Sequence, residues 1–113
     1  MKNIYLAGKM RGIKNFNFPA FHTAAAKLRY EGHLVFNPAE VDEGKYGKDF
    51  AKSETGDLKD IPFFDLRSAL AIDINFILTK ATAIALLPGW EGSKGVAAEL
   101  AAAQAIGLEI IYL

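Results

Sequence analysis

The sequence predicts an α/β fold built on a parallel sheet, and three observations carry that reading. Short apolar runs alternate with helix-patterned stretches in the order β-α-β-(long polar segment)-α-β-α-β. Strands that alternate with helices pair in parallel through right-handed crossovers. The run Thr82 to Leu87 carries no charge, as expected of a central parallel strand buried on both faces. Glycines punctuate the pattern: Gly8 after the first apolar run, Gly32 and Gly107 after the helical ones.

Length and composition set the outer limits. A chain of 113 residues suits one domain, 1–113, and 51% hydrophobic residues suffice for a core. Thirteen basic and thirteen acidic residues balance to a net charge of zero, so neither nucleic acid nor an anionic membrane is an expected partner. There is no cysteine, which excludes disulfides, thiolate metal sites and a thiol nucleophile. His22 and His33 are too few and too far apart to suggest a metal site, and no cofactor is expected. No signal-peptide pattern opens the chain and no apolar run reaches membrane-spanning length, so the expected location is cytoplasmic.

Taken in order, Lys2–Ala7 is β-branched and aromatic and reads as a buried strand ending at Gly8. Asn17 and Pro19 form a helix entrance, Asn17 as the cap. Phe21, Ala24, Ala25 and Leu28 then recur at helical spacing up to Tyr30. His33–Phe36 is a second strand, closed by Asn37-Pro38. Residues 39–60 are polar, charged and weakly periodic, and read as a lid or substrate-facing excursion with at most a short helical turn. Phe63–Lys80 regains helical periodicity through Phe64, Ala71, Ile72, Phe76 and Ile77. Ser93–Ile106 is an alanine-rich helix, and Leu108–Leu113 is the last strand.

Ligands of such sheets bind outside the carboxyl ends of the strands. Three loops meet there: Gly8–Arg11, Asn37–Glu40 and Pro88–Gly95. Gly8-Lys9-Met10-Arg11-Gly12 reads either as a strand-ending turn with solvated charges or as a turn whose Arg11 reaches an anion bidentately. Ser93, between Gly92 and Gly95, suits both a helix cap and a phosphate seat, because both use the same N–H groups. Glu99 lies less than two turns into that helix and either faces solvent or looks back at the turn. Asp73 is likewise a lone carboxylate between Ile72 and Ile74. Two carboxylates in apolar surroundings suggest split roles, one nucleophile and one proton donor or acceptor. Trp90, the single tryptophan, reads as core or as a platform for stacking a nucleobase.

Tyr5-Leu6-Ala7-Gly8-Lys9-Met10-Arg11-Gly12, together with Ser93-x-Gly95-x-x-x-Glu99, resembles the nucleoside 2-deoxyribosyltransferase superfamily, in particular a small branch common in phage and prophage genomes. The resemblance implies a flavodoxin-like, three-layer fold with four to five parallel strands, assembly as homodimers or larger, and cleavage of an N-glycosidic bond. The family's nucleophilic glutamate falls on Glu99, its positioning tyrosine on Tyr5, and its proton-handling aspartate on Asp73. Where relatives acting on free nucleosides carry aspartate six residues before the nucleophile, monophosphate hydrolases carry serine, and this chain has Ser93. Arg11 falls where such hydrolases place a phosphate-binding arginine, and Gly8 and Gly95 complete the seat. Relatives often send a residue beyond the last strand into a neighbouring subunit's site; here the sequence stops at Leu113. The expected function is therefore hydrolysis of a (2′-deoxy)nucleoside 5′-monophosphate, releasing or exchanging the base. The alternative is a nucleotide-binding protein on the same fold without turnover.

Overall fold

In the computed structural model the strands are β1 (Asn3–Ala7), β2 (Leu34–Phe36), β3 (Ala83–Leu86) and β4 (Glu109–Tyr112). All three pairings are parallel, and the strand order is β2-β1-β3-β4. The four α-helices are α1 (Phe18–Tyr30), α2 (Pro38–Tyr46), α3 (Leu66–Thr79) and α4 (Lys94–Ala105). The result is a flavodoxin-like α/β fold with a four-stranded parallel sheet, at the lower end of the expected strand number.

Strand alternation divides the core in two. Ile4 and Leu6 of β1, with Ala83 and Ala85 of β3, face Phe18, Phe21, Ala25 and Leu28 of α1 and Ala39 of α2. Tyr5 and Ala7, with Ile84 and Leu86, face Ile77 of α3 and Val96 and Ala103 of α4. β1 and β3 lie between both layers, which is why they read as near-continuous apolar runs. No helix is long and apolar enough to cross a membrane.

Three details depart from the sequence reading. Residues 38–46 form a full helix rather than the start of an excursion. The Asn37 side chain caps it, accepting from the Ala39 N–H at 3.0 Å, with Pro38 in the first turn. Asn17 does precede α1, but its side chain makes no cap; it donates to the Lys9 carbonyl at 3.0 Å. Helix α3 begins at Leu66, capped by Asp65, so Phe63 and Phe64 precede it.

Helix α2 is tied to α1 from outside. Arg29 donates to both oxygens of Glu40, at 2.7 and 2.6 Å, and also to the Val35 carbonyl. His22 Nε2 lies 3.1 Å from Glu43. Such exposed contacts contribute only about 0–1 kcal/mol each, but they fix the rotation of α2 and hence which of its residues turn inward.

Candidate active site

The strand order reverses between β1 and β3: from β1 the chain moves out to β2, then returns to β3 on the other side. The loops leaving those two strands diverge, and a crevice opens between them. Gly8 sits at its base. A Cβ there would meet the Leu87 side chain at 2.7 Å and Phe21 at 3.1 Å, so the two post-strand loops approach each other this closely only over glycine.

The crevice is a cavity of about 370 Å³, a volume within the range of small-molecule sites. Its floor is a cluster of three ionisable side chains from three elements. Tyr5 of β1, fully buried, donates its hydroxyl to Glu99 Oε2 of α4 at 2.5 Å. Asp73 of α3 faces both. Glu99 is only 7% exposed, which settles its orientation toward the cavity rather than solvent. The Tyr5 ring is held by Phe36 at 5.4 Å and Phe76 at 6.4 Å.

Burial dominates the protonation of this cluster. It pushes the Glu99 carboxyl well up, against the hydrogen bond from Tyr5 and with help from the Asp73 charge. It also raises Asp73, partly offset by the nearby Tyr5 hydroxyl and Glu99 carboxyl. Tyr5 is raised by burial and by the two carboxylates, so it stays a neutral donor. Between them the two carboxyls therefore hold one proton near neutral pH, one ionised and one protonated, as a nucleophile and acid pair requires.

The mouth of the cavity is basic and rich in N–H groups. Lys9, Arg11, Gly92, Ser93, Lys94 and Gly95 line it. Ser93 Oγ accepts from the Val96 N–H at 3.2 Å and caps α4. The N–H groups of Lys94 and Gly95 meet no acceptor in the chain, and the positive end of the α4 dipole coincides with them. The site thus has a cationic rim over an acidic floor, two chemistries set apart within one cavity.

The sequence-identified residues converge with one exception. Tyr5, Gly8, Arg11, Asp73, Ser93, Gly95 and Glu99 all line the cavity. Trp90 does not, and the expectation of a tryptophan platform is corrected. Gly89 takes a left-handed conformation and a single turn at 90–92 follows. These carry the indole to Tyr112 of β4, 6.2 Å away, and onto the α3–α4 side of the core. The aromatic wall is instead made of phenylalanines: Phe16, Phe18, Phe21, Phe50 and Phe64. Phe50 lies 5.6 Å from Phe18 and 6.1 Å from Phe64.

The expected excursion at 39–60 is half helix and half roof. After α2, the segment supplies Phe50 and Leu58 to the cavity, and Ile61 and Phe64 join them just beyond its end. It is clasped to the loop that follows β1. The Asn15 N–H donates to the Ser53 carbonyl at 2.6 Å, the Ser53 N–H to Asn15 Oδ1 at 3.1 Å, and the Gly12 N–H to the Gly56 carbonyl at 2.9 Å. Asn15, Phe16 and Asn17 are held at φ of 54°, 51° and 63°. Such left-handed residues cost roughly 1 kcal/mol or more each unless glycine. The strained turn aims Phe16 into the cavity beneath the clasp.

Sequence reasoning missed Lys9, the phenylalanine wall and Asp42. Asp42, on the inward side of α2, lines the cavity at 9% exposure, and burial followed by the Asp73 charge pushes its carboxyl up to about 7. No three His, Cys, Asp or Glu side chains are arranged to hold a metal ion.

Residues 2–112 match the family described as domain of unknown function (DUF4406), and the chain belongs to that family. No curated protein and no solved structure matches it.

Proposed function

We propose that this protein cleaves the N-glycosidic bond of a (2′-deoxy)nucleoside 5′-monophosphate, in the manner of the nucleoside 2-deoxyribosyltransferases it resembles. The observation that carries the reading is the buried Tyr5–Glu99–Asp73 cluster lying beneath an N–H-rich, cationic rim.

The phosphate sits at the start of α4, among the Lys94 and Gly95 N–H groups, the Ser93 hydroxyl and the Arg11 guanidinium. That seat leaves C1′ over the floor. Glu99 Oε attacks C1′, the C1′–N bond breaks, and its electron pair leaves with the base. Asp73 gives the base its proton when the one proton the two carboxyls share lies on it. Positive charge developing at C1′ favours the ionised form of Glu99, which Tyr5 stabilises through its hydroxyl. Water then attacks C1′ of the glycosyl ester, Glu99 departs as carboxylate, and Asp73 takes the proton. This is the two-step logic of retaining glycosidases. A second base in place of water gives exchange.

The test is incubation with a panel of nucleoside and deoxynucleoside monophosphates and chromatography for free base. Wild type should release base and Glu99→Gln should not. Equal release by both proteins would refute the assignment, and tight binding with every nucleotide recovered intact would favour a binding protein instead. The same reading expects a homodimer.

A further inference from the structure

Four polar side chains are buried in this protein: Asn37, Asp42, Ser53 and Glu99. Three have partners. Asn37 accepts from the Ala39 N–H and contacts His22, Ser53 bonds Asp60 and the Gly56 N–H, and Glu99 takes the Tyr5 hydroxyl. Asp42 has neither a hydrogen bond nor an ion pair. Its oxygens are not sealed in the core either, since no fully enclosed polar atom is left unbonded. They open into the cavity.

An unpartnered buried carboxyl is costly, and a ligand that brings donors relieves the cost. We propose that Asp42 reads the base: its carboxylate selects a ring presenting two neighbouring N–H donors, the 2-amino-6-oxopurine edge of guanine. A carboxylate offers acceptors only, so two parallel N–H groups satisfy it bidentately. Adenine and cytosine set a ring acceptor beside their amino group, and hypoxanthine lacks the second donor. This assignment rests on the nucleotide reading above and names its substrate class.

The surroundings fit the role. Asp42 rides on a helix fixed by its Asn37 cap and by the Arg29–Glu40 and His22–Glu43 contacts, so the carboxyl is positioned before ligand arrives. Phe18, Phe50 and Phe64 supply faces for stacking a purine. The groups that act on Asp42 are Asp73 across the cavity and Glu43 and Lys45 on its own helix, and none donates a hydrogen bond to it. In the empty site it holds a proton near neutral pH, which a two-donor edge replaces.

The experiment measures binding of dGMP, dIMP and dAMP to the Glu99→Gln protein by calorimetry, so that turnover does not consume ligand. dGMP should bind at least about tenfold more tightly than either of the others. Adding Asp42→Asn should bring the three within about threefold of one another. The dGMP–dIMP comparison needs no change at Asp42, so it stands whether or not that variant folds. Equal affinities in the Glu99→Gln protein, or a guanine preference that survives Asp42→Asn, would overturn the assignment. Base release by wild type without guanine preference sinks the role of Asp42 and leaves the glycosidic reaction standing. A preference that Asp42→Asn abolishes, without base release by wild type, does the reverse. Failure of all three nucleotides to bind overturns the role of Asp42, and failure of the pyrimidine monophosphates as well overturns both.

Discussion

Tyr5→Phe isolates one hydrogen bond and predicts its effect on reactivity. The substitution keeps the ring that packs against Phe36 and Phe76 and removes only the hydroxyl that donates to Glu99 at 2.5 Å. A hydrogen bond to a charged group contributes about 1.5–3 kcal/mol. Its loss falls on the ionised form of Glu99, because the protonated form needs no donor at that oxygen. At about 1.4 kcal/mol per pKa unit, the Glu99 carboxyl, already raised by burial, should climb by roughly 1–2 units more. If Glu99 must be ionised to attack, the acid limb of the pH–rate profile moves to higher pH by that amount. Activity near neutral pH then falls about 10- to 100-fold and recovers as pH rises. Carbon NMR of labelled glutamate carboxyls reads the same shift without any assumption about the reaction. A limb that stays in place, or a rate loss equal at every pH, would refute the coupling between Tyr5 and Glu99.

Three further outcomes follow from the same geometry. Ser93→Asp keeps an oxygen able to cap α4 but sets a negative charge in the proposed phosphate seat, so activity on monophosphates should drop about tenfold more than activity on free nucleosides; the reverse ranking in paired steady-state assays would dismiss that seat. Gly56→Ala places a Cβ 2.3 Å from the Ile13 carbonyl in a backbone at φ 69°, and should destabilise the protein by about 1–3 kcal/mol while hydrogen exchange quickens at residues 12–16 and 53–57; unchanged exchange there would mean the clasp does not hold the roof. Asp42→Asn should make stability less sensitive to pH. The folded carboxyl binds its proton up to about pH 7, against an unperturbed 3.8, so the wild type loses stability as pH rises through that window. The advantage of Asn over Asp should grow from near zero at about pH 4 to a ceiling of about 4 kcal/mol above pH 8; equal denaturant midpoints at both ends would show Asp42 to be well solvated.

The order of the elements was legible because β1 and β3 are buried on both faces and their apolar runs have no competing periodicity. The Ser93 cap and the Gly8 turn were legible because each rests on backbone chemistry confined to a few residues. Helix α2 was hidden because its inward side is Pro38, Ala39 and Asp42, small and acidic where an amphipathic helix would show Leu or Ile. The signal was present in Asn37-Pro38, a cap followed by a first-turn proline, read instead as the close of a strand. Asp42 stayed invisible for the same reason, since a carboxylate in a polar stretch reads as solvated until the helix rotation is known. Trp90 was misplaced because a turn residue can swing to either side of a sheet, and only the backbone at Gly89 decides which. The phenylalanine wall is long-range: Phe18, Phe50 and Phe64 come from separate parts of the chain and meet only on folding.

The hydrogen bond between Tyr5 and Glu99 joins residues 94 positions apart, from the second apolar position of the first strand to the last helix. That separation orders events during synthesis. As the chain leaves the ribosome, β1 and β2 can pair early, but Glu99, the acceptor for the Tyr5 hydroxyl, arrives only with α4. Until then the phenol has no acceptor on the floor of the cavity. A nascent or prematurely terminated chain therefore carries the first strands without the contact that closes the cavity floor.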